Sequence, residues 1–553
     1  MTVQNALFAL LRVIFARRFV LPELYDLVGL LGEMVLQADA PSVRRACSQL
    51  YLSFLLTYPL GPRRLQQHLN FFVTNLAYPV AHGRLSLLEL VHDAIRRLPL
   101  EILRKQAELL LLPLTTRLVN DADQGCRVAV GRAVKCLLQR TCVAAEGGDA
   151  EGGDAEAAKA REKLLVLLHT WGGDGAHSAL GRAAAQVAGL AVEALGRGAT
   201  SLAPKLVPLL MRACAADAAG AGAAAADAEH WQAAYYSLKA FEKLATLQPA
   251  LLTRAASEPL WCGLPALLLH AHSWVRSAAG RLLGLLFAET KPAELCAPAA
   301  ARAAEGGEEP KKERFLRRRG TLLRLGDALL DQLHSAAIPA AASVQALKNL
   351  LWISSALLRH PALAPPACER MMPTAKLPDD EACAAAAAEP SLWAACAVSS
   401  RLAPLVQSEG HVRGCAAMRW LAALATQLDE EQVRLMLPVC LPVVVRAAED
   451  QSGKVHAQVK ELGVEVLAIW QKVAAPPDFA AAYAACKEAQ KVSRQERKRK
   501  QAVEAVADPE LAAAKRLAKN AGKQAQKKRK MAKVKRARDA SGSLGLNKKS
   551  RMR

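Results

Sequence analysis

The sequence lacks any uncharged, strongly apolar stretch of about 18 residues or more, which excludes an ordinary membrane-spanning helix. The apolar run near the first residue is interrupted by Arg12, Arg17 and Arg18, and no small-residue cleavage pattern follows it. We therefore expect neither a signal peptide nor a membrane anchor.

No C-x-x-C pair occurs, and the 13 cysteines are odd in number and scattered. Cys47, Cys126 and Cys415 sit among helical apolar residues, which is typical of small buried side chains in a reducing compartment. A zinc site or a disulfide framework is the alternative interpretation.

Catalytic motifs are also missing. The chain has no G-x-x-x-x-G-K-[ST] loop and no H-E-x-x-H. His270 and His272 are two residues apart, which puts them on different faces of a helix, and Asp379, Asp380 and Glu381 lie in a proline-rich segment typical of a solvated acidic patch. We expect no enzyme, no metal, no cofactor and no small-molecule substrate.

Isoleucine is scarce, with six residues in 553, whereas leucine and alanine dominate. This balance favours helices over strands. Apolar residues recur at three- and four-residue spacing, as at Leu103, Ala107, Leu110 and Leu114. With 52% hydrophobic residues the chain can build a large core, and we predict an all-α fold.

A local pattern recurs in which a turn with an acidic or small polar residue is followed by Val-Arg and then Ala. It is found at Asp39 to Ala46 (Val43, Arg44), Asp121 to Ala129 (Cys126, Arg127), His272 to Ala279 (Val275, Arg276), Glu409 to Ala416 (Val412, Arg413) and, weakly, Asp450 to Ala457, where His456 replaces the arginine. The spacings fit a period of about 40 to 47 residues, which is typical of HEAT or armadillo repeats.

Each part of this turn has an expected role. The acidic residue faces the N–H groups of the next helix, the valine enters the core between units, and the arginine bridges to an acidic residue of its own or a neighbouring turn. Because one helical hairpin cannot bury its apolar face alone, the units must stack into an α-solenoid.

We predict a solenoid over residues 1–485 and a basic tail over 486–553. Low-complexity insertions interrupt the solenoid near 145–158, 213–229, 297–313 and 361–390. The first contains a tandem Glu-Gly-Gly-Asp-Ala repeat and is expected to form a flexible loop; the others are expected on the surface between repeats.

The net charge of +22 is concentrated in the tail, because residues from Lys487 onward carry 23 basic and 6 acidic residues. No aromatic residue follows Tyr483, which favours contact with phosphates over stacking on bases. The candidate nucleic-acid-binding residues are Arg497, Lys498, Arg499, Lys500, Lys515, Arg516, Lys527, Lys528, Arg529, Lys530, Lys533, Lys535, Arg536 and Arg538.

Three interpretations of the tail stay open on sequence alone. It can be an arm that orders on structured RNA, a nuclear or nucleolar import signal, or a solvated polycation without specific contacts. The first two are compatible with each other.

Short blocks along nearly the whole chain resemble the C-terminal part of the "down-regulated in metastasis" family, the very large HEAT-repeat, small nucleolar RNA-associated component of the small-subunit processome. The blocks include Phe19-Val-Leu-Pro-Glu-Leu-Tyr-Asp, Phe54-Leu-Leu-Thr-Tyr-Pro-Leu, Tyr235-Tyr-Ser-Leu-Lys-Ala-Phe-Glu-Lys-Leu, His272-Ser-Trp-Val-Arg-Ser-Ala-Ala-Gly-Arg-Leu-Leu-Gly, the Arg497 cluster, Asp508-Pro-Glu and the Lys527 cluster.

The resemblance implies a nucleolar scaffold that supports pre-rRNA processing and small ribosomal subunit biogenesis, with pre-rRNA, small nucleolar RNA and other processome proteins as partners. The family's chains are several times longer, so this chain is expected to be a fragment or a truncated gene product. The alternatives are a HEAT-repeat nuclear transport receptor or adaptor and a chromatin scaffold, since phosphate contacts alone do not separate RNA from DNA.

Overall fold

The structure is a computed structural model. It describes residues 3–143, 150–173, 178–220, 231–290, 292, 295, 315–335, 338–363, 381–407, 411–451, 453–507, 509–510, 513–514, 517–518, 520–522, 524–525, 527–529 and 531–532.

The first half of the chain forms long helices joined by short turns. Their bounds are α1 Val3–Ala16, α2 Pro22–Gln37, α3 Pro41–Thr57, α4 Pro62–Asn75, α5 Ala81–Arg97, α6 Leu100–Asn120, α7 Gln124–Cys142, α8 Ala150–Trp171, α9 Ser178–Leu195, α10 Ala203–Gly220 and α11 Trp231–Leu247.

The second half continues in the same way. Its helices are α12 Glu258–Leu268, α13 Ser273–Glu289, α14 Thr321–His334, α15 Ala340–Arg359, α16 Glu381–Ala388, α17 Trp393–Leu402, α18 His411–Ala425, α19 Glu430–Ala448, α20 Ala457–Val473 and α21 Pro476–Ala507. Short 3-10 helices join several of them, and the described residues contain no strand.

The helix starts follow from local sequence. Helices α2, α3 and α4 begin at Pro22, Pro41 and Pro62. The fixed φ of proline suits the first helical turn, and an N–H at this position would have no intrahelical acceptor, so its absence costs no hydrogen bond. At α19 a capping box forms, because Asp429 accepts from the Gln432 N–H at 2.8 Å while the Gln432 side chain accepts from the Asp429 N–H at 3.2 Å.

The helices stack in two layers. In one, which we call the B layer, each of α3, α5, α7, α9, α11, α13, α15, α18 and α20 contacts the next in that order. Other helices pack against the B layer: α2, α4, α6, α8, α10, α12, α14, α17, α19 and α21. A single apolar core runs between the layers and includes the fully buried Trp420 and Trp470. The predicted fold class, an all-α solenoid of HEAT or armadillo type, is confirmed.

An arginine of the inter-helix turn is the repeated element of this stack. Arg44, Arg84, Arg127 and Arg276 each donate from Nη1 to two carbonyl oxygens, five and six residues earlier, at 2.6–3.0 Å. These carbonyls belong to turn residues that no helix satisfies, so a guanidinium supplies the missing donors.

The predicted bridge from arginine to an acidic side chain is therefore wrong at Arg44, Arg127 and Arg276, where the acceptors are backbone carbonyls. Arg413 also differs, since it donates to the carbonyl of His334 in α14 at 3.1 Å. At Arg84, which the sequence pattern did not single out, both kinds of contact occur together.

The two other predicted roles of the turn residues, capping by an acidic side chain and burial of the valine, are found at some turns only. Asp123 caps α7 by accepting from the Cys126 N–H at 2.8 Å, and this bond lowers the pKa of the Asp123 carboxyl. At α13 and α20 the cap is a histidine, His272 or His456, rather than an acid. Val275 is fully buried as predicted, whereas Val43 is only half-buried.

Two of the predicted insertions are partly helical. Residues 150–158 form the start of α8, with Ala157 fully buried, so the flexible loop expected there is wrong for this part. Residues 213–220 end α10, and Cys214 is buried. Alanine and glutamate favour helix strongly enough to extend both helices into the biased sequence. Residues 144–149, 221–230 and 296–314 lie outside the described part.

The last predicted insertion is divided. Pro361–Leu363 forms a 3-10 turn whose Leu363 carbonyl accepts from the Gly320 N–H at 2.9 Å, and Glu381–Ala388 forms α16, in which Ala386 is buried. These parts pack on the solenoid rather than standing off it, and residues 364–380 are outside the described ranges.

Candidate nucleic-acid interface

The basic tail begins as a continuation of the solenoid. Helix α21 starts at Pro476, with a second proline next to it and Asp478 in its first turn, a combination that suits a helix N-terminus. The helix then runs for 32 residues without a break, so the predicted boundary between residues 485 and 486 falls inside it.

The first third of α21 is fixed to α19. Cys486 is buried against the solenoid, and the rings of Phe479 and Tyr483 are stacked on each other, with centroids 6.0 Å apart. Burial raises the pKa of the Cys486 thiol to about 11, which keeps the thiol protonated in the folded chain. These contacts extend the core by three turns past α20.

One carboxylate closes this contact. Glu449, at the end of α19, accepts a hydrogen bond from the Tyr483 hydroxyl at one oxygen and from the Lys487 ammonium at the other. Burial opposes ionisation of Glu449, but the hydrogen bonds from Lys487 and Tyr483 outweigh it, and the pKa of the carboxyl lies below its usual range. We call Glu449, Tyr483, Cys486 and Lys487 the anchor.

Beyond the anchor the helix leaves the protein surface. Every residue from 488 to 504 is exposed. At a rise of about 1.5 Å per residue, the stretch from Lys487 to Ala507 reaches about 30 Å away from the solenoid. A helix with no apolar face against the core presents its side chains to solvent or to a partner.

Several cations on this exposed stretch lie in a row. Lys491, Arg494 and Lys498 follow the spacing i, i+3 and i+7, which places them on one face of the helix, in line with Lys487 of the anchor. Glu488 and Glu496 lie off this face, although Lys491 reaches Glu488 at 3.4 Å. A row of positive charges of this kind is suited to contact the negatively charged phosphates of a nucleic-acid strand.

The predicted residues Arg497, Lys498, Arg499 and Lys500 are brought together here. Four consecutive positions point around the whole helix, so this segment is cationic on every side. All four are exposed, and Arg497 Nε donates to the Ser493 carbonyl one turn earlier at 3.2 Å. Such a segment can meet phosphates from several directions, without base selection.

The second predicted cluster is described only in part. Lys527, Lys528 and Arg529 are helical and exposed. The remaining candidates lie outside the described residues: Lys515, Arg516, Lys530, Lys533, Lys535, Arg536 and Arg538. The assignment of these fourteen residues to nucleic acid stays a prediction.

Sequence reasoning missed the anchor. Its signal was present in the four-residue spacing of Tyr483 and Lys487, but their acceptor lies more than 30 residues earlier in the chain. Only the packing of α21 on α19 brings Glu449 to them.

Two described grooves of the body differ from the tail in their charge. Open grooves of about 720 Å³ between α6 and α8, and about 550 Å³ between α3 and α5, carry charges of both signs. In the part of the chain that the structure describes, no three potential ligand side chains come together to hold a metal, the ten described cysteines form no disulfide bonds with one another, and no helix is long and apolar enough to cross a membrane.

Comparison with known families gives the most direct information on ancestry. Residues 273–533, which include α13 to α21 and much of the tail, match the family described as "Small subunit processome component 20 homolog, C-terminal". This part of the chain is similar to that family. The resemblance inferred from the sequence blocks is confirmed.

Two curated relatives extend the similarity over most of the chain. The "U3 small nucleolar RNA-associated protein 20" of Schizosaccharomyces pombe is 25% identical over 516 residues, and that of Saccharomyces cerevisiae is 23% identical over 526 residues. Each alignment covers 93% of this chain and 19% of the relative. The chain thus spans about a fifth of the length of the curated relatives it matches.

Solved structures that align with this chain have low sequence identity to it. Kap121p bound to RanGTP is 12% identical with a TM-score of 0.39, and the similarity covers 88% of this chain and 48% of that one. An engineered protein is 14% identical with a TM-score of 0.31, over 85% of this chain and 96% of that one.

Proposed function

We propose that this chain acts as a non-enzymatic scaffold of the small-subunit processome, where it supports pre-rRNA processing and small ribosomal subunit biogenesis, and that its basic tail contacts RNA. Its place of action is the nucleolus, and its partners are pre-rRNA or small nucleolar RNA together with other processome proteins. One observation supports this most strongly: the family match runs from the last solenoid repeats through the exposed basic helix.

The names of the relatives support the processome part of the proposal. Both curated relatives are named for association with U3 small nucleolar RNA, and the family is named for the small-subunit processome. A chain that shares most of its length with such proteins is best explained by work in the same particle.

The charge distribution supports the RNA contact. Outside the tail the chain is nearly neutral, with 50 basic and 45 acidic residues up to position 486. In the tail, each lysine or arginine that meets a phosphate releases condensed counterions, which makes binding favourable and strongly dependent on salt. The anchor holds the base of this arm, so a bound RNA is coupled mechanically to the solenoid.

The pairing of charges within the body supports the scaffold role. Across neighbouring B-layer helices Glu193 pairs with Lys135 and Lys243, and Glu242 pairs with Arg281; Glu242 also pairs with Lys239 of its own helix. Charges that are paired within the solenoid fix one repeat to the next, and they leave a long surface of weak polar contacts for protein partners.

RNA crosslinking in cells with sequencing of the bound fragments tests the function. We expect enrichment of pre-rRNA or U3 small nucleolar RNA. Enrichment of messenger or transfer RNA alone, or recovery of chromatin DNA instead, contradicts the proposal and favours the transport or chromatin alternatives.

A charge variant tests the tail itself. Replacing Arg497, Lys498, Arg499 and Lys500 by glutamine should weaken binding to any RNA and reduce the slope of log affinity against log salt by about one for each lost phosphate contact. The matched control replaces four exposed cations of the body by glutamine: Arg45, Arg96, Arg97 and Lys105. An equal loss in both variants contradicts the assignment to the tail.

A further inference from the structure

Aromatic residues gather at one place on the body. The chain has only eight tryptophans and seven tyrosines, yet two of each lie where the N-terminal ends of α11 and α13 meet. The ring centroid of Trp274 is 5.5 Å from that of Trp231 and 5.7 Å from that of Tyr235. We call Trp231, Tyr235, Tyr236, His272 and Trp274 the aromatic cluster.

The cluster contains a ring stack that is already formed. The His272 imidazole lies parallel to the Trp231 indole, with centroids 3.5 Å apart and planes 7° from parallel. His272 is held in place because its Nδ1 accepts from the Trp274 N–H at 3.3 Å and its own N–H donates to His270 Nδ1 at 2.9 Å. Burial, together with His270 and Arg276, lowers the pKa of His272.

One ring of the cluster faces outward. Trp274 is 56% exposed, although it is the second residue of a core helix. Such exposure of a large ring beside other rings gives a flat apolar surface on which another ring can stack.

Three arginines surround these rings. Arg127 and Arg182 act electrostatically on Tyr236, and Arg276 acts on His272. Arg127 and Arg276 donate to backbone carbonyls, and Arg182 donates to the side-chain amides of Gln232 at 2.6 Å and Asn120 at 3.3 Å. Within the described ranges none of the three pairs with a carboxylate.

Several other cations of the same helices do have carboxylate partners. Further along α7, α11 and α13, Lys135, Lys243, Lys239 and Arg281 are each paired with Glu193 or Glu242. In the α6–α7 turn, Asp121 is buried and held by Arg84, Asp123 caps α7, and neither carboxylate pairs with Arg127. Among the described residues, the three arginines therefore keep an uncompensated positive charge beside the rings.

We propose that the aromatic cluster is a second RNA contact, a stacking site for the bases of a single strand, with Arg127, Arg182 and Arg276 facing its phosphates. Stacking needs an exposed ring, and a polyanion needs cations whose charge no carboxylate neutralises; among the described residues both occur here together. An apolar or proline-rich peptide would use the rings but would gain nothing from the three arginines. The proposal rests on the proposed action of the chain on RNA, but it assigns the body a separate role.

The test uses the full chain and an oligouridylate of about 12 nucleotides at about 0.3 M KCl, where contacts to phosphates alone are weak. Trp274→Ala should reduce the affinity by about tenfold or more, because loss of one base–aromatic stack has an effect of that order. Trp274→Tyr should retain most of the affinity. Val464→Ala, at a residue of similar exposure on α20, is the control and should change nothing.

Duplex RNA of the same length separates the two RNA contacts. Duplex binding should be unaffected by Trp274→Ala, since paired bases offer no free face, and it should fall in the Arg497–Lys500 glutamine variant. Unchanged single-strand binding in Trp274→Ala, or an equal loss for single strand and duplex, overturns the proposal. If Trp274→Ala loses binding to a purified protein partner while its single-strand binding is intact, the cluster is a protein-binding site instead. If the Arg497–Lys500 glutamine variant binds RNA like wild type and Trp274→Ala does not bind the single strand, the tail proposal fails and the stacking-site proposal holds.

Discussion

Arginine has opposite surroundings in the solenoid turns and in the C-terminal helix. Arg84 is buried, donates to two backbone carbonyls and is paired bidentately with Asp121 at 2.8 and 3.0 Å. Arg499 is exposed on a helix that leaves the body. The donors of the first arginine join repeats, whereas those of the second face solvent.

The difference teaches that net charge alone does not locate a binding surface in this protein. What matters is whether the fold supplies acceptors. The turns expose carbonyls that no helix satisfies, and these accept hydrogen bonds from a nearby guanidinium. Because α21 is helical through its basic segment, its carbonyls already accept intrahelical bonds, and Arg497 only shares the Ser493 carbonyl.

The largest effect is expected at Arg84. Arg84→Met should destabilise the N-terminal repeats by about 3 kcal/mol or more, because the buried Asp121 carboxylate loses its cation. Urea denaturation followed by circular dichroism measures this. In the Arg84→Met/Asp121→Asn double variant part of the stability should return; a double variant as unstable as the sum of the two single changes contradicts the pairing.

A smaller loss is expected at Arg44. This side chain is equally buried but donates to the carbonyls of Ala38 and Asp39 and to the Ser86 hydroxyl, so its removal strands no charge. Arg44→Met should lower the free energy of unfolding by about 2 kcal/mol, and the exposed neighbour variant Arg45→Met should be neutral. Equal effects at the two positions would mean that the turn contact does not stabilise the stack.

The anchor connects the two regions and can be loosened selectively. Glu449→Gln should weaken the contacts with Tyr483 and Lys487 and raise the rate of thiol labelling at Cys486 by several-fold to tenfold, since these partly buried hydrogen bonds contribute about 1 kcal/mol. Mass spectrometry resolves each cysteine, and the exposed Cys262 serves as internal reference. Glu488→Gln, the same charge change just beyond the anchor, should leave labelling unaltered; if it accelerates labelling equally, α21 is not held by Glu449.

The smallest effect concerns pH. Burial, together with Arg64, lowers the pKa of His68, and its Nδ1 lies 2.8 Å from the Tyr51 hydroxyl. Below the ordinary histidine pKa of 6.5 the unfolded chain takes up a proton that the folded chain does not, so stability should fall as the pH decreases through this range. His68→Gln should flatten this dependence in urea titrations between pH 7.5 and 5.5; a steeper fall in the variant contradicts the assignment.

Helical period, the turn spacing and the concentration of charge were sufficient to predict the solenoid and the basic tail. These features are local, since each depends on residues within one or two helical turns. The partners of the turn arginines were predicted wrongly, because acidic residues such as Asp39 are near in sequence while the unsatisfied carbonyls of the same turn are nearer in space.

The anchor and the aromatic cluster could not be predicted from the sequence, for a different reason. Tyr483 meets Glu449, and Tyr235 meets Trp274, only because helices about one repeat apart stack side by side. Periodicity predicts that such helices touch but not which side chains meet. The biased segments were misjudged for the converse reason, since alanine-rich sequence at 150–158 is composed like a linker yet helps to form α8.

The central claim is that the tail, and not the near-neutral body, makes the salt-dependent contact with RNA. It is tested most directly by titrating structured RNA with the full chain and with a chain ending at Lys487, which keeps the anchor, at several salt concentrations. The truncated chain should lose about two orders of magnitude in RNA affinity at low salt and most of the salt dependence of binding. Its helical circular-dichroism signal per body residue should be unchanged. Truncated and full chains with the same steep salt dependence would contradict the central claim.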